Sequence, residues 1–450
     1  MTVSAPQIGK SLTLGCWLLA SAWFDGGRVP WPSWWAAPTI AQANQGFLRY
    51  VVARAHEAGI RRSHTESSPV RLVLTNGSVI EARSWERADG LYGPTVARIA
   101  VDEFGLLDDS AWAALSSRTT ETSIHGFGQI RMAGNVSEIG GIAEKLYRTA
   151  MADYPGWTAR TWTWRHRAET ANCECGLNGQ GVDLDLAHVH GPLCERGIYL
   201  RDIAARRNTM SAAHFRQLYG AEWVDWSSLP AYTFDRSIHV TSEVHEELSL
   251  PIDLSCDFNV DPMCWIVGQH TATEAWALDE IVIPGGATTS AACSEFLRRY
   301  PGNTKRDLNV YGDASGKARG TKSNESDYQI IQQEIGTQWP RLRMNVPNGN
   351  GPVTERLNAV NALLRSGDGG VRYYVHPRCE TLANDLARVS LKPGTRDIDK
   401  SNRNLTHASD AEGYRLVSLF PVAAVYQSHA VVSLGGSEYA REPLVSTMDY

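Results

Sequence analysis

Cysteine is scarce in this sequence: 8 of the 450 residues are cysteines. So few cysteines exclude the dense disulfide framework of a small secreted protein. Five of them stand alone, mostly within apolar stretches, and this setting is typical of small core residues. These five are Cys16, Cys256, Cys264, Cys293 and Cys379.

Long apolar runs and excess positive charge are also missing. No apolar run reaches the roughly 18 residues of a membrane-spanning helix, and the first residues lack the basic segment of a signal peptide. We therefore expect no membrane contact. The formal net charge is −6, so a function on nucleic acid requires local basic patches that overcome the overall repulsion of phosphates.

An alternation of apolar strand and helix patterns is present, and it predicts an α/β protein with mainly parallel sheets covered by helices. The 450 residues allow two or three domains. The alternation stops between residues 153 and 245 and resumes at Leu250. Within the first part, Asn76 and Gly77 join two apolar arms and predict a β-hairpin.

The segment SAPQIGKS near the N-terminus ends in the G-K-S of a phosphate-binding loop. In such a loop Lys10 contacts the β- and γ-phosphates and Ser11 ligates Mg²⁺, while backbone N–H groups beyond Gly9 supply further positive charge. Ser4 stands where the full pattern has glycine. Because only Met1, Thr2 and Val3 precede the loop, we expect its usual strand to be missing.

A strand pattern that ends in two acids supports the same site. The segment RIAVDE is mostly apolar up to Asp102 and Glu103. One carboxylate at such a strand end can hold the Mg²⁺ water shell, and the next can orient the attacking water. Asn135 closes the following strand pattern and either senses the γ-phosphate or forms a strand-end turn. Together these segments predict an ATP site.

Three further acids close or interrupt separate elements: Asp257 in SCDFNVDP, Asp313 in VYGDASG and Asp410 in HASDAEGYRL. An acid within an apolar strand is costly unless it is paired or binds a cation. If the three meet, their oxygens suit two Mg²⁺ or Mn²⁺ ions that cleave a phosphodiester; solvated strand ends are the alternative. Nearby acids that compete as ligands are Asp253, Asp261, Asp327, Asp397 and Asp399.

A Cys/His cluster lies in the irregular stretch. Any four of its residues can close a tetrahedral Zn²⁺ site, although the C-x-C spacing is tighter than usual and a loop of reduced thiols is the alternative. Just before it, the alternation of Trp162 and Trp164 predicts a buried strand face, with stacking on DNA as the other interpretation. The cluster consists of Cys173, Cys175, His188, His190 and Cys194.

Taken together, these motifs resemble the large subunit of tailed-phage terminases. The resemblance runs from SAPQIGKS to about residue 425, apart from 166–245, and is most specific in WWAAPTIAQANQGF, DGLYGPTVARIAVDEFG, GQIRMAGNVSE and the DFNVDP, YGDASG and HASDAEGYRL series. That family joins a packaging ATPase to a nuclease. The resemblance therefore implies a P-loop NTPase-type, mostly parallel sheet domain followed by an RNase H-like α/β domain.

The resemblance implies roles for the ATP-site residues. Gly9, Lys10 and Ser11 would bind ATP and its Mg²⁺, and Asp102 would be the second acid on the Mg²⁺ side. Glu103 would be the catalytic carboxylate. Asn135 would lie in the segment that couples hydrolysis to movement. An arginine that completes the family's ATP site stays open between Arg61, Arg87 and an arginine of a neighbouring subunit.

For the second half, the resemblance makes Asp257, Asp313 and Asp410 the Mg²⁺ or Mn²⁺ ligands of the nuclease. The implied domains are an ATPase domain at 1–165, a connector at 166–245, a nuclease domain at 246–426 and a tail at 427–450.

The implied function is ATP-driven packaging of double-stranded DNA and metal-dependent cleavage of concatemeric DNA. Partners would be DNA, the portal protein, a small terminase subunit and further copies of the chain in a ring, in the host cytoplasm and not in the mature virion. One alternative is an RNase H-like nuclease whose nucleotide domain is vestigial, because a missing strand would leave the phosphate loop unanchored. Another is a non-enzymatic module that binds DNA through the connector.

Overall fold

Two β-sheets covered by helices account for most of the chain, which confirms the predicted α/β class. The computed structural model describes residues 1–422 except 7, 26–27, 138, 153, 176–181, 227–228, 260, 319–324, 393–394, 396 and 403–404. The predicted tail at 427–450 lies outside the described residues.

The first sheet contains eight strands. They are β1 (Thr2–Ser4), β2 (Ser33–Ala37), β3 (Arg61–His64), β4 (Arg71–Leu74), β5 (Val79–Ser84), β6 (Arg98–Asp102), β7 (Gln129–Gly134) and β8 (Arg160–Trp162). Their order is β3-β4-β5-β2-β6-β7-β1-β8. The pairings from β5 to β8 are parallel, and those of β3 with β4 and of β4 with β5 are antiparallel. The hairpin predicted at Asn76-Gly77 is thus confirmed as β4–β5.

The expectation that the phosphate loop lacks its strand is wrong. Strand β1 pairs in parallel with β7 on one side and β8 on the other, with Thr2 level with Ala133 and with Arg160. Val3 and Ser4 are fully buried. Three residues suffice because both neighbouring strands supply backbone partners, and because the strand packs inside the sheet.

Helices cover both faces of this sheet. They are α1 (Lys10–Phe24), α2 (Ile40–Phe47), α3 (Ala53–Glu57), α4 (Asp109–Ser117), α5 (Thr120–Ile124) and α6 (Ile142–Met151), with a π-helical turn at Leu48–Val52 between α2 and α3. Helix α1 packs Leu14 and Leu18 on the sheet beside Trp35. Cys16 lies between them on the opposite face and is exposed, so its assignment to the core was wrong.

The connector is a small helical unit with its own core. Its helices are α7 (Trp164–Thr170), α8 (Glu195–Thr209) and α9 (Ala212–Leu218), and a short helix α10 (Arg236–His239) follows in the segment that leads to the second sheet. Strand β8 ends at Trp162, and α7 starts at Trp164, where His166 Nδ1 accepts the Thr163 N–H at 3.1 Å. Trp164 is buried beside Leu200, so the strand predicted through both tryptophans stops before it.

The second sheet contains six strands. They are β9 (Ile252–Asp257), β10 (Met263–His270), β11 (Ala275–Ile283), β12 (Leu308–Gly312), β13 (Leu342–Met344) and β14 (Tyr373–Val375). Their order is β13-β12-β9-β10-β11-β14, with β9, β10 and β11 antiparallel in succession and the outer pairings parallel.

Helices pack on both faces of the second sheet. They are α11 (Thr289–Arg299), α12 (Asp327–Glu334), α13 (Val353–Leu364), α14 (Glu380–Arg388) and α15 (His407–Leu419). Residues before β9 join the same core: Ala231 and Tyr232 are buried in it, and the Thr241 N–H donates to Val375 O at 3.0 Å.

Candidate functional site

The first candidate site lies at the carboxyl ends of β1, β6 and β7. Asp102 on β6 is level with Ala133 on β7, which is level with Thr2 on β1. Parallel strands in register end at one edge of the sheet, and this edge is where α/β folds bind ligands. The fold therefore brings the phosphate loop, the acid pair and Asn135 together, as the sequence predicted.

Lys10 is the centre of this site. Its Nζ donates to Asn135 Oδ1 at 2.5 Å and lies 3.7 Å from Glu103 Oε1. Ser11 Oγ donates to Asp102 Oδ1 at 2.9 Å. Because Lys10 is only 8% exposed, its ammonium depends on these acceptors. Such a buried, anchored ammonium can equally donate hydrogen bonds to phosphate oxygens.

The loop enters α1 through a left-handed residue. Gly9 precedes the helix with φ of 87°, a conformation that glycine adopts without strain. The helix N-terminus and its unpaired N–H groups then follow directly, with Lys10 in the first turn. This is the backbone arrangement that binds phosphates at helix N-termini.

Asp102 of the acid pair is buried, whereas Glu103 is partly exposed. Burial raises the pKa of Asp102 to about 6, and the charge of Glu103 adds to the effect, while Ser11 and Lys10 oppose it. Glu103 has φ of 55°, a strained conformation for a non-glycine residue and one that often marks functional sites. A Cβ on Gly105 would lie 2.3 Å from Asn135 O, so the end of β7 presses against this turn.

Of the two arginines considered for this site, Arg61 lies elsewhere in the first sheet. Arg61 is on β3, which β4, β5 and β2 separate from β6. Four spacings of about 4.8 Å between neighbouring strands place β3 about 19 Å from β6. Arg87 is exposed before a 3₁₀ turn at Ala88–Leu91.

The second candidate site is a pocket of about 460 Å³ lined by Asp257, Asp313 and Asp410. Strands β9 and β12 are neighbours, with Gly312 level with Cys256, so the two strand-end acids emerge side by side. Helix α15 crosses β9, where Ser255 Oγ donates to Ala411 O at 2.5 Å, and this contact places Asp410 at the same end.

The competing acids have other partners. Asp253 is fully buried and binds Arg415 at 3.2 Å and His270 at 2.6 Å. Asp327 accepts Thr289 Oγ1 at 2.5 Å. Among the competitors that the structure describes, only Asp261 lines the pocket.

Asp410 is held by two cations. Arg356 Nη2 donates to its Oδ1 at 2.5 Å, and Lys400 Nζ donates to its Oδ2 at 2.8 Å. Asp410 is 4% exposed, so this charge requires compensation. Neither cation was predicted from the sequence; the available signal was an arginine on the otherwise apolar buried face of helix α13.

Asp313 and Asp257 are oriented by neutral groups and by a histidine. Asp313 Oδ1 accepts Asn350 Nδ2 at 2.6 Å and the Ser315 N–H at 2.7 Å. Burial alone would raise the pKa of Asp313, but these hydrogen bonds lower it. Burial raises the pKa of Asp257, with the charge of Asp410 adding and a bond from His407 at 3.1 Å opposing.

The carboxylate oxygens of this pocket suit two divalent cations that share ligands. Within the described part of the chain, the three carboxylates do not all gather within 4.8 Å of one another. Two ions about 4 Å apart, with bonds of about 2.1 Å, place outer ligands about 8 Å apart. Hard carboxylate oxygens are the ligands that Mg²⁺ and Mn²⁺ prefer, so the lining of this pocket is compatible with a pair of these ions.

The Cys/His cluster is assembled from four of its five predicted members. The ligand atoms of Cys173, Cys175, His190 and Cys194 lie within 4.8 Å of one another. His188 does not belong to this group: its ring is exposed and its Nδ1 faces Asp185 O at 3.0 Å. His188 lies within the short 3₁₀ turn at Ala187–Val189 and is exposed, whereas His190 follows this turn and is buried.

No protein-family model and no curated protein matches this chain. Among solved structures, the large terminase of a thermophilic bacteriophage is similar in fold. One crystal form has 12% sequence identity and a TM-score of 0.52, and it covers 93% of this chain and 92% of that chain. Another, in complex with ADP, has 12% identity and a TM-score of 0.51, with coverage of 92% and 93%.

At this identity the similarity concerns the fold. Among the described residues, no helix combines the length and apolar character needed to span a membrane. The predicted α/β fold is confirmed, with a mostly parallel first sheet and a second, mixed sheet. Over most of its length, this chain has the α/β fold of a phage large terminase.

Proposed function

We propose that this chain is the large subunit of a tailed-phage terminase, which hydrolyses ATP to package double-stranded DNA and cleaves concatemeric DNA with Mg²⁺ or Mn²⁺. One observation carries the proposal: the two predicted side-chain sets are each assembled, on separate sheets of one chain. Lys10 and Ser11 meet the acid pair and Asn135 on the first sheet. The three acids share a pocket on the second.

In the ATP site, Lys10 would hold the β- and γ-phosphates, and Ser11 with Asp102 would hold Mg²⁺. Glu103 would orient the attacking water. Lys10 Nζ, which contacts Asn135 at 2.5 Å, would exchange this partner for a phosphate oxygen and so release Asn135. The similar large terminase of the thermophilic phage forms a complex with ADP, which supports nucleotide binding by this chain.

A route for coupling starts two residues after Asn135. Ser137 O accepts Gln217 Nε2 of the connector helix α9 at 2.8 Å. Movement of the segment after β7 would therefore reach the connector through a direct hydrogen bond. This contact supports a role of Asn135 in coupling hydrolysis to movement.

In the nuclease site, Asp257, Asp313 and Asp410 would hold the divalent ions, which activate water and stabilise the leaving oxygen of the phosphodiester. Asn350 and Ser315 fix the orientation of Asp313. His407 positions Asp257 at 3.1 Å.

The proposed partners are double-stranded DNA, the portal protein, a small terminase subunit and further copies of this chain in a ring, in the host cytoplasm. The net charge of −6 requires that DNA be bound through local basic patches. Arg87 or an arginine from a neighbouring copy would complete the ATP site, since Arg61 lies at the far edge of the first sheet.

Two matched substitutions test the proposal with the full chain. Glu103→Gln should abolish ATP hydrolysis and leave Mn²⁺-dependent plasmid cleavage unchanged, whereas Asp313→Asn should do the reverse. Each substitution removes a charge without changing shape, so each variant is the control for the other. The proposal fails if the wild-type chain shows neither activity with DNA present.

The vestigial alternative predicts cleavage without any ATP hydrolysis in the wild-type chain. That alternative rested on a missing strand, and β1 removes the reason for it. A chain that binds DNA but neither hydrolyses ATP nor cleaves would instead be the non-enzymatic module.

A further inference from the structure

We infer that the connector contains a structural zinc site formed by Cys173, Cys175, His190 and Cys194. These residues come from two segments that flank 176–181 and the following turn, and their four ligand atoms lie within 4.8 Å of one another. The inference is independent of ATP hydrolysis and DNA cleavage, because none of the four residues belongs to either candidate site.

The distances fit a tetrahedral ion. Zn–S bonds of about 2.3 Å and a Zn–N bond of about 2.1 Å at the tetrahedral angle place sulfur and nitrogen about 3.6 Å apart. His190 Nδ1 lies 3.5 Å from Cys173 Sγ and 3.7 Å from Cys194 Sγ. The imidazole thus presents one nitrogen to two thiols at the separation that a shared zinc imposes.

The donor set also identifies the metal. Three thiols and one imidazole are the ligands of structural Zn²⁺ sites, and a closed set of four protein ligands leaves no open position for catalysis. All three cysteines are free thiols in the structure. A disulfide between any two of them would not account for the position of the third thiol and of His190 in the cluster.

Backbone groups around the cluster hold the ligands in place. The Gly191 N–H points to Cys175 Sγ at 3.4 Å, an outer contact of the kind that orients thiolate ligands. Arg201 Nη1 donates to His190 O at 3.2 Å and to Ala187 O at 3.3 Å, which fixes the turn that carries the histidine.

Close packing of this turn on α8 requires a glycine. A Cβ on Gly197 would lie 2.4 Å from His190 Cβ, so the histidine rests directly on the first turn of α8. Cys194 is the N-cap residue of the same helix. The site therefore fastens the start of α8 to the end of α7, which precedes Cys173 by three residues.

This placement explains what the ion would do. The connector core is small, with α7, α8 and α9 enclosing Trp164, Leu200 and Phe215. Small units with little core are commonly stabilised by a structural metal. Zinc would fix α8, whose far end contacts the second sheet region through Arg207 O and the Gly367 N–H at 3.0 Å.

The test uses the full chain, expressed in zinc-supplemented medium and purified under reducing conditions without chelator. Elemental analysis should find about one zinc per chain. Cys173→Ser and His190→Ala should each lose most of the zinc. His188→Ala and Cys16→Ser are matched controls, because they change the same residue types outside the cluster, and both should keep it.

A second measurement does not depend on the folding of a variant. Cobalt added to the reduced, zinc-depleted wild-type chain should give the absorption of tetrahedral thiolate-bound Co²⁺, and zinc should displace it. Wild-type protein that neither contains zinc nor binds cobalt in this way would overturn the inference. Equal loss of zinc in His188→Ala and His190→Ala would also overturn the assignment.

Discussion

At the scale of single residues, Asp102 should give the proposed ATP site a pH dependence. Burial and the neighbouring Glu103 raise its pKa to about 6, so the folded chain protonates this carboxyl at a higher pH than an unfolded chain does. The carboxylate that Mg²⁺ requires is present above this value and is lost as the pH falls through it.

We therefore expect kcat/KM for ATP hydrolysis to fall about tenfold per pH unit below about pH 6, because one proton competes with Mg²⁺ for Asp102. The measurement is a pH profile between pH 5 and 8 at a fixed, subsaturating Mg²⁺ concentration, with circular dichroism at each pH to verify folding. Asp102→Asn should be inactive throughout. A flat profile down to pH 5 in the wild-type chain would contradict the role of Asp102.

Single residues were predictable where a local motif fixes their chemistry. The G-K-S and D-E motifs predict that Lys10, Ser11 and Glu103 belong to the site, because their neighbours in the chain determine where they lie. Arg356 and Lys400 did not follow, because their contacts with Asp410 depend on how α13 and the segment before α15 pack. No local pattern encodes that packing.

At the scale of elements, the end of β7 and the turn after β6 form a tightly packed pair. Gly105→Ala would place a Cβ 2.3 Å from Asn135 O, so the two segments must separate. We expect ATP hydrolysis to fall by roughly 100-fold, since a misplacement of about 1 Å is enough for such a loss.

Gly90→Ala is the matched control for this change, because a Cβ there meets no atom within 4 Å. Steady-state ATPase rates and thermal unfolding of both variants check the expectation. Loss of activity in Gly90→Ala, or full activity in Gly105→Ala, would contradict it.

Helix α15 depends on an acid from α14 at its first turn. Asp385 Oδ2 accepts the N–H groups of Ala408 at 2.9 Å and Ser409 at 3.1 Å. Asp385→Ala should lower the free energy of unfolding by about 1–2 kcal/mol, the range for a lost helix cap. Because this turn carries Asp410, the affinity for Mn²⁺ should fall as well.

Asp108→Ala is the comparison for Asp385→Ala. Asp108 Oδ1 caps α4 through the Ala111 N–H at 2.7 Å, so its loss should lower stability without changing Mn²⁺ binding. Urea unfolding and calorimetric titration with Mn²⁺ distinguish the two. Unchanged Mn²⁺ affinity in Asp385→Ala would show that the cap does not position Asp410.

Most elements were predictable because they are long or strongly patterned. The buried run of β6 and the Asn76-Gly77 hairpin are examples. Strand β1 was not, since three residues carry no periodicity and the partners β7 and β8 lie more than 100 residues away. Trp164 was misassigned because alternation over three residues also fits the entry into a helix.

At the scale of the whole molecule, the order of the two sheets along the chain was predictable from the order of the motifs. The packing of the segment before β9 was not. Residues 231–241 had no periodic pattern, yet Ala231 and Tyr232 are buried in the core of the second sheet, at 3% and 2% exposure. Asn361 on α13 fixes this segment by donating to Ala231 O at 2.8 Å.

This packing predicts how separate fragments that contain the second sheet behave. A fragment that starts at Leu229 should be more stable than one that starts at Glu246 by about 3–5 kcal/mol, the cost of removing a large buried aromatic side chain. Urea unfolding of both fragments, each ending at residue 422, checks the difference. Equal midpoints would contradict it.

The segment at 231–241 thus has a practical meaning for dissecting this protein. A fragment that begins near residue 246, where the residue pattern changes, would lack part of the core of the second sheet and would be prone to aggregation. If such a fragment were inactive, the cause would be the choice of its first residue and not the absence of the first half of the chain.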